Sequence, residues 1–156
     1  MLSQTAEYAL RAVVFIAQQP PGALTQTAPM SVTLGIPQNY LAKTLHQLAR
    51  AGVLRSSRGT SGGFALGRSA AAIALQDVIA PFDGSNERAQ CLLGRPECSN
   101  RNPCPAHTRW QGVASQVSTF FRSTTVADMA KGPASALWTR PFAVPAPAAS
   151  APRRRR

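Results

Sequence analysis

Negative charge is scarce in this chain. Six Asp and Glu stand against 17 Lys and Arg, for a net charge of +11. Arg140 and Arg153–Arg156 supply five of those positives, and the rest of the chain still carries twelve against six. A body so poor in acids favours a polyanionic partner, usually nucleic acid. Long apolar runs are missing too. No stretch approaches the ~20 residues that a membrane span needs. The N-terminal "YALRAVVFIA" is broken by Arg11, and it lacks the basic start and small-residue cleavage site of a secretory signal. The expectation is a cytoplasmic protein with no membrane partner. Cysteine is also sparse: Cys91, Cys98 and Cys104 are the whole supply. An odd number of thiols in a cytosolic protein argues against a disulfide frame and for metal or redox chemistry.

What is present suits one domain with appendages, since 44% of 156 residues are apolar. Helical spacing of Leu2, Ala6, Ala9, Val13 and Ile16 predicts a first helix over "SQTAEYALRAVVFIAQQ", ended by Pro20–Gly22. A short second helix is expected from about Pro29 to Leu34, with Gly35 at its end. Pro37 opens a third helix, "PQNYLAKTLHQLARAG", with Leu41, Leu45 and Leu48 inside and Gly52 closing it. "VLRSS", the turn "RGTSGG" and "FAL" read as a small hairpin. "ALQDVIAPF" is a further short helix. Helical spacing resumes over "HTRWQGVASQVSTFFRS" through Trp110, Val113, Val117, Phe120 and Phe121.

This order is that of a winged helix-turn-helix, a mainly α fold with a small β-hairpin wing, whose later helix enters the major groove of double-stranded DNA. Opposite its leucine stripe the third helix carries Gln38, Asn39, Ala42, Lys43, His46 and Arg50. Gln and Asn side chains pair bidentately with adenine, and Lys reaches guanine or phosphate. The hairpin adds Arg55, Ser56, Ser57 and Arg58, with Gly59, Gly62 and Gly63 near its tip. Glycines allow a tight turn and a close approach to a backbone, and Arg58 there is placed to enter a minor groove or clamp phosphate. The candidate DNA contacts are Gln38, Asn39, Tyr40, Lys43, Arg50, Arg55, Ser57, Arg58 and Gly59. His46 reads as a surface residue rather than a base reader. The alternative is an amphipathic helix with a solvated polar face.

All the thiols sit in "CLLGRPECSNRNPCPAHTRW", at the spacing Cys91-x6-Cys98-x5-Cys104-x2-His107. Thiolates suit iron–sulfur clusters, zinc or copper. Proline and glycine between them favour turns that bend a loop round an inorganic core. The two-residue gap between paired cysteines that is common in zinc knuckles is absent. A cluster needs a ligand beyond the thiols, for which His107 and, from a partner subunit, Glu7 are candidates. Glu7 and Arg11 also have the i,i+4 spacing of a surface ion pair. A zinc site or thiol switch could use the same residues. A cysteine nucleophile at Cys104 with His107 as base lacks an evident pocket or orienting carboxylate, so an enzyme is not expected.

"YALRA", the run from Leu48 to Gly63 with its "RG-x-x-GG" turn, and the cysteine triplet resemble the iron–sulfur regulators of the Rrf2 family, which include IscR-, NsrR- and RirA-like members. The resemblance covers about Leu2 to Ala130. It implies a homodimeric winged-helix repressor or activator of transcription carrying a 2Fe–2S or 4Fe–4S cluster that senses redox state, nitric oxide or iron. Cys91, Cys98 and Cys104 match the family's ligand positions. His107 matches the histidine ligand of IscR-like members, and Glu7 lies near the carboxylate that NsrR-like members recruit across the dimer. The helix from His107 to Arg122 corresponds to the dimerisation helix. The expected organisation is a winged helix-turn-helix over 1–83, a cysteine-rich cluster loop over 84–106, a dimerisation helix and its end over 107–131, and a disordered Pro/Ala-rich basic tail over 132–156. Three features depart from the family pattern. Six residues rather than five separate the first two cysteines, Ala42 replaces a recognition-helix glutamate, and Pro29 implies a late start to the second helix.

Overall fold

Ser3 opens the first helix by accepting the Ala6 N–H on its hydroxyl at 3.2 Å, an N-cap that satisfies a donor the helix itself cannot. Helix α1, Gln4–Ala17, then buries Ala6, Ala9, Ala12, Val13 and Ile16 along one stripe, widened by Tyr8 and Val14. The computed structural model describes residues 2–59, 62–84, 91–93 and 98–132. Within them the chain is mainly helical, with a single two-stranded antiparallel sheet.

Helix α2, Thr27–Leu34, starts two residues before the expected Pro29. The first N–H groups of a helix have no intrahelical acceptor, so a proline within that turn breaks nothing. Gly35 ends α2 at φ +63°, a left-handed conformation that glycine adopts without a Cβ clash. Helix α3, Gln38–Arg50, follows at once, with Pro37 as the residue before it rather than its first member. It turns Leu41, Thr44, Leu45 and Leu48 inward.

Strands β1, Leu54–Ser57, and β2, Gly63–Leu66, pair antiparallel, with Leu54 opposite Leu66 and Ser57 opposite Gly63. The hairpin is therefore the one expected, but a further segment joins it. Thr25 exchanges backbone hydrogen bonds with Phe64 at 2.8 and 2.9 Å. A Cβ on Gly63 would lie 2.6 Å from the Thr25 carbonyl oxygen. The close backbone approach that this glycine permits is thus used by the chain itself.

A 3-10 turn at Ala70–Ala72 leads into α4, Leu75–Asp83; α5 is His107–Ser123 and α6 is Val126–Ala130. Helix α6 was not anticipated, although Thr125 and Asp128 form a capping box at its start. The chain leaving α5 is sewn to the start of α4 by Leu75 N–H to Thr124 O and Val126 N–H to Ile73 O, both 2.9 Å. Helix α1 packs on α2, α3, α4, α6 and β2. The core gathers Val13, Met30, Leu34, Leu41, Leu45, Leu48, Val53, Ile73, Val78 and Val126 from these elements, and each such side chain contributes about 1.5–3 kcal/mol on burial. Helix α5 touches that core through Phe121 near its end and through its packing on α4, and otherwise leaves its apolar side uncovered. His107 is its one buried residue among 17, while Val113, Val117 and Phe120 stay 50, 47 and 51% exposed. The tail expected to be disordered lies, from 133 onward, outside the described residues.

Candidate nucleic-acid interface and thiol site

Inward-facing leucines orient α3 so that Gln38, Asn39, Lys43, His46 and Arg50 point to solvent. Ala42 is only half-exposed. Tyr40 is exposed, but its hydroxyl is hydrogen-bonded to Thr5 Oγ1 and its ring meets Tyr8 edge-on at 5.7 Å. Tyr40 therefore anchors the start of α3 to α1. His46 places its ring edge-on to Phe64 at 5.2 Å, so it braces the wing against α3, in keeping with a surface rather than a reading role. Gln47 ties the same helix to α4 by donating to the Pro81 carbonyl at 2.7 Å. Sequence periodicity finds the exposed face of α3 but carries no signal for these braces.

On the wing, Arg55, Ser56, Ser57, Arg58 and Gly59 are all exposed. Arg55 reaches back to the Gly22 carbonyl at 3.4 Å, whereas Arg58 sits at the tip. Between them, α3 and the wing present Lys43, Arg50, Arg55 and Arg58 with no acidic residue in the same segments, a cation-lined surface suited to a phosphate backbone. Thr60 and Ser61, at the turn, lie outside the described residues.

Arg11 reaches beyond its own helix. It donates to the Leu34 carbonyl at 2.8 Å, joining α1 to the end of α2. Burial lowers its pKa, with the charges of Tyr8 and Glu7 acting the other way. Glu7 is half-buried on α1.

The thiol site is assembled at the foot of α5. Cys91, Cys98 and Cys104 are half-buried, and no disulfide joins them. The His107 N–H donates to the Cys104 carbonyl at 2.9 Å, which sets the first turn of the helix. The His107 side chain is 6% exposed. Its Nδ1 lies 3.3 Å from Cys98 Sγ, and its Nε2 lies 2.6 Å from Asn100 Oδ1. Among the described residues, no third Cys, His, Asp or Glu joins that pair to form a metal-binding group. The structure thus brings the Cys98 thiol to the His107 ring and the Cys104 backbone to the His107 N–H.

The spacing of the pair suits a thiol–imidazole hydrogen bond and is also compatible with a shared ion. A tetrahedral ion at about 2.3 Å from a thiolate sulfur and about 2.0 Å from an imidazole nitrogen sets those donors about 3.5 Å apart. The observed contact is close to that spacing. Asn100, missed from sequence, completes the surroundings of His107. An asparagine in a Pro-rich loop reads as a turn former, and only the folded loop shows what its amide touches.

A family model described as Rrf2, iron-dependent transcriptional regulator, matches residues 2–132. A protein of Aquifex aeolicus (strain VF5), named as an HTH-type transcriptional regulator, is 34% identical over 131 residues, covering 83% of this chain and 90% of that one. The HTH-type transcriptional regulator IscR of Vibrio atlanticus (strain LGP32) is 32% identical over 130 residues, covering 83% of this chain and 75% of the relative. Among solved structures, CymR of B. subtilis, the global cysteine regulator of that organism, superposes with a TM-score of 0.72 at 24% identity, over 83% of this chain and 95% of its own. T. potens IscR does so with a TM-score of 0.66 at 23% identity, over 83% and 85%. At those identities the structural likeness speaks for the fold.

Proposed function

The chain belongs to the Rrf2 family of DNA-binding transcriptional regulators, and from that premise we propose that it is a homodimer whose grip on promoter DNA is set by an iron–sulfur cluster at the foot of α5. The observation that carries this reading is the contact of Cys98 Sγ with buried His107 Nδ1 at 3.3 Å. A soft donor in contact with a buried imidazole is half of a ligand set. Cys91 and Cys104, on the same loop, supply the remaining thiols, with the cluster as 2Fe–2S or 4Fe–4S. Glu7 of a second copy is the alternative to His107. When bound, such a cluster responds to redox state, nitric oxide or iron supply.

The chain's own residues do the rest. Gln38, Asn39 and Lys43 read base edges in the major groove, and Arg50, Arg55, Ser57, Arg58 and Gly59 hold phosphates or the minor groove. Tyr40 joins them at the helix start through its exposed ring face. Val113, Val117 and Phe120 pair with their counterparts in a second copy and so fix the spacing of the two reading heads. The loop is covalently continuous with α5, so a change at Cys98 and His107 bears on that spacing. The protein works in the cytoplasm, on the chromosome. In this reading the reading head spans 1–83, the sensing loop 84–106 and the pairing arm 107–131, whose end packs on the head through Val126, and a basic tail follows over 132–156.

Anaerobic purification followed by visible absorbance and iron and sulfide analysis tests the reading. We expect a coloured protein, and Cys98→Ser should bleach it while leaving the helical circular dichroism intact. A colourless, iron-free protein under conditions that preserve other clusters would sink it. One observation favours a second reading, a metal-free thiol switch at the same residues: no three donors gather among the described residues, and a zinc ion needs as many as a cluster does. Reversible oxidation without any metal would select it, and zinc without visible bands would put a simple ion in place of the cluster.

A further inference from the structure

We propose that Asn100 is a positioning residue: its side-chain carbonyl fixes the proton of His107 on Nε2, so that Nδ1 is the nitrogen presented beside Cys98. This rests on the site proposed above, though its first test does not. The argument begins with what an amide oxygen can do. Oδ1 only accepts hydrogen bonds. It lies 2.6 Å from His107 Nε2 and also receives the Gln111 amide N–H at 3.4 Å. Nε2 must therefore carry the proton. In a neutral imidazole that leaves the lone pair on Nδ1, the atom that faces Cys98 Sγ at 3.3 Å.

The local chain makes this arrangement hard to undo. His107 is 6% exposed, so water cannot freely replace the asparagine. Gln111 stands one helical turn after His107 on the same face of α5. It donates to the same Asn100 oxygen. Ser99 Oγ accepts the Arg101 N–H at 3.1 Å, forming a small turn with Asn100 at its centre. Cys98 and Asn100 therefore approach the ring from one short segment, each on its own nitrogen. An orienting partner on the second nitrogen is what ligand histidines generally need, and losing it typically weakens metal binding by about 10–100-fold.

Nitrogen-15 NMR of histidine in the full-length metal-free protein, at alkaline pH, reads the tautomer directly. We expect His107 to carry its proton on Nε2. Asn100→Asp should retain that tautomer, since a carboxylate still accepts, and Asn100→Leu should give a mixture or the Nδ1–H form. In protein reconstituted anaerobically with iron and sulfide, Asn100→Leu should lose iron to a chelator about 10–100-fold more readily than the parent, and Asn100→Asp should stay near the parent. A proton on Nδ1 in the parent, or an unchanged tautomer in Asn100→Leu, would overturn the proposal. The Nε2–H tautomer together with a failure to hold iron would leave Asn100 in its role and refute the cluster instead.

Discussion

Helices α3 and α5 are both amphipathic and of similar make, yet they end in different situations. Helix α3 spends 13 residues to bury four, and its outer face is polar. Helix α5 spends 17 to bury only His107, and its outer face carries Val113, Val117 and Phe120. The first helix is finished within one chain. The second has apolar surface that no described part of the chain covers, and its buried residue, His107, faces the cysteine loop rather than the leucine core. On the proposed reading, a head packed within one chain and an arm that pairs with a second copy are what a regulator requires if a signal at the arm is to move intact heads.

The largest effect expected from testing this contrast is in the head. Leu45→Ala removes a fully buried side chain and should cost about 2–5 kcal/mol of unfolding free energy by denaturant titration. Val117→Asp, at a half-exposed site, should leave that value nearly unchanged. It should instead yield monomers by sedimentation and lower operator affinity by about 100-fold or more, the worth of a lost second head. If Val117→Asp unfolds the protein as Leu45→Ala does, the arm belongs to the core and the contrast fails.

Within the head, the two DNA-facing elements should separate next. Lys43→Ala should cost about 1–3 kcal/mol on the operator and relax discrimination at one base position. Arg58→Ala should weaken binding similarly on all sequences and reduce the log–log salt slope by about 1. Fluorescence anisotropy across a salt series distinguishes them, and exchanged behaviours would reverse the assignment of helix and wing.

The smallest effect lies where the arm rejoins the body. The Asp128 carboxyl is held well below the usual carboxylate range by hydrogen bonds from Lys131 and from the Thr125 hydroxyl and N–H. A lowered folded-state pKa contributes stability above the unfolded value and loses it as pH falls through the folded one. The α6 cap should thus persist from neutral pH through the ordinary carboxylate range and open only in stronger acid. Amide exchange at Val126–Met129 should show that opening, and Asp128→Asn should remove its pH dependence.

How much was legible differs between these parts for a physical reason. The α3 leucines and the α1 stripe repeat at the helical period, and a repeating pattern is a local property of sequence. The wing was legible through its glycines, but not Thr25, whose pairing with Phe64 joins residues far apart in the chain. The proline at 29 misled in the opposite way. A residue-level rule placed the start of α2 at the ring, whereas the N–H groups lost there were never to be bonded. At the thiol site, softness and clustering of the donors were visible from spacing. That His107 is buried against Cys98 and clasped by Asn100 was not.

By itself, then, the order of residues determined the longer helices, the hairpin, the basic exposed face of α3 and the wing, and the presence of a thiol-rich loop, because periodicity, turn chemistry and charge act between near neighbours. Only the tertiary structure decided which cysteine meets the histidine, which nitrogen it meets, and which apolar stripe remains uncovered. Those are contacts between segments brought together by burial, and burial is a property of the whole packed chain.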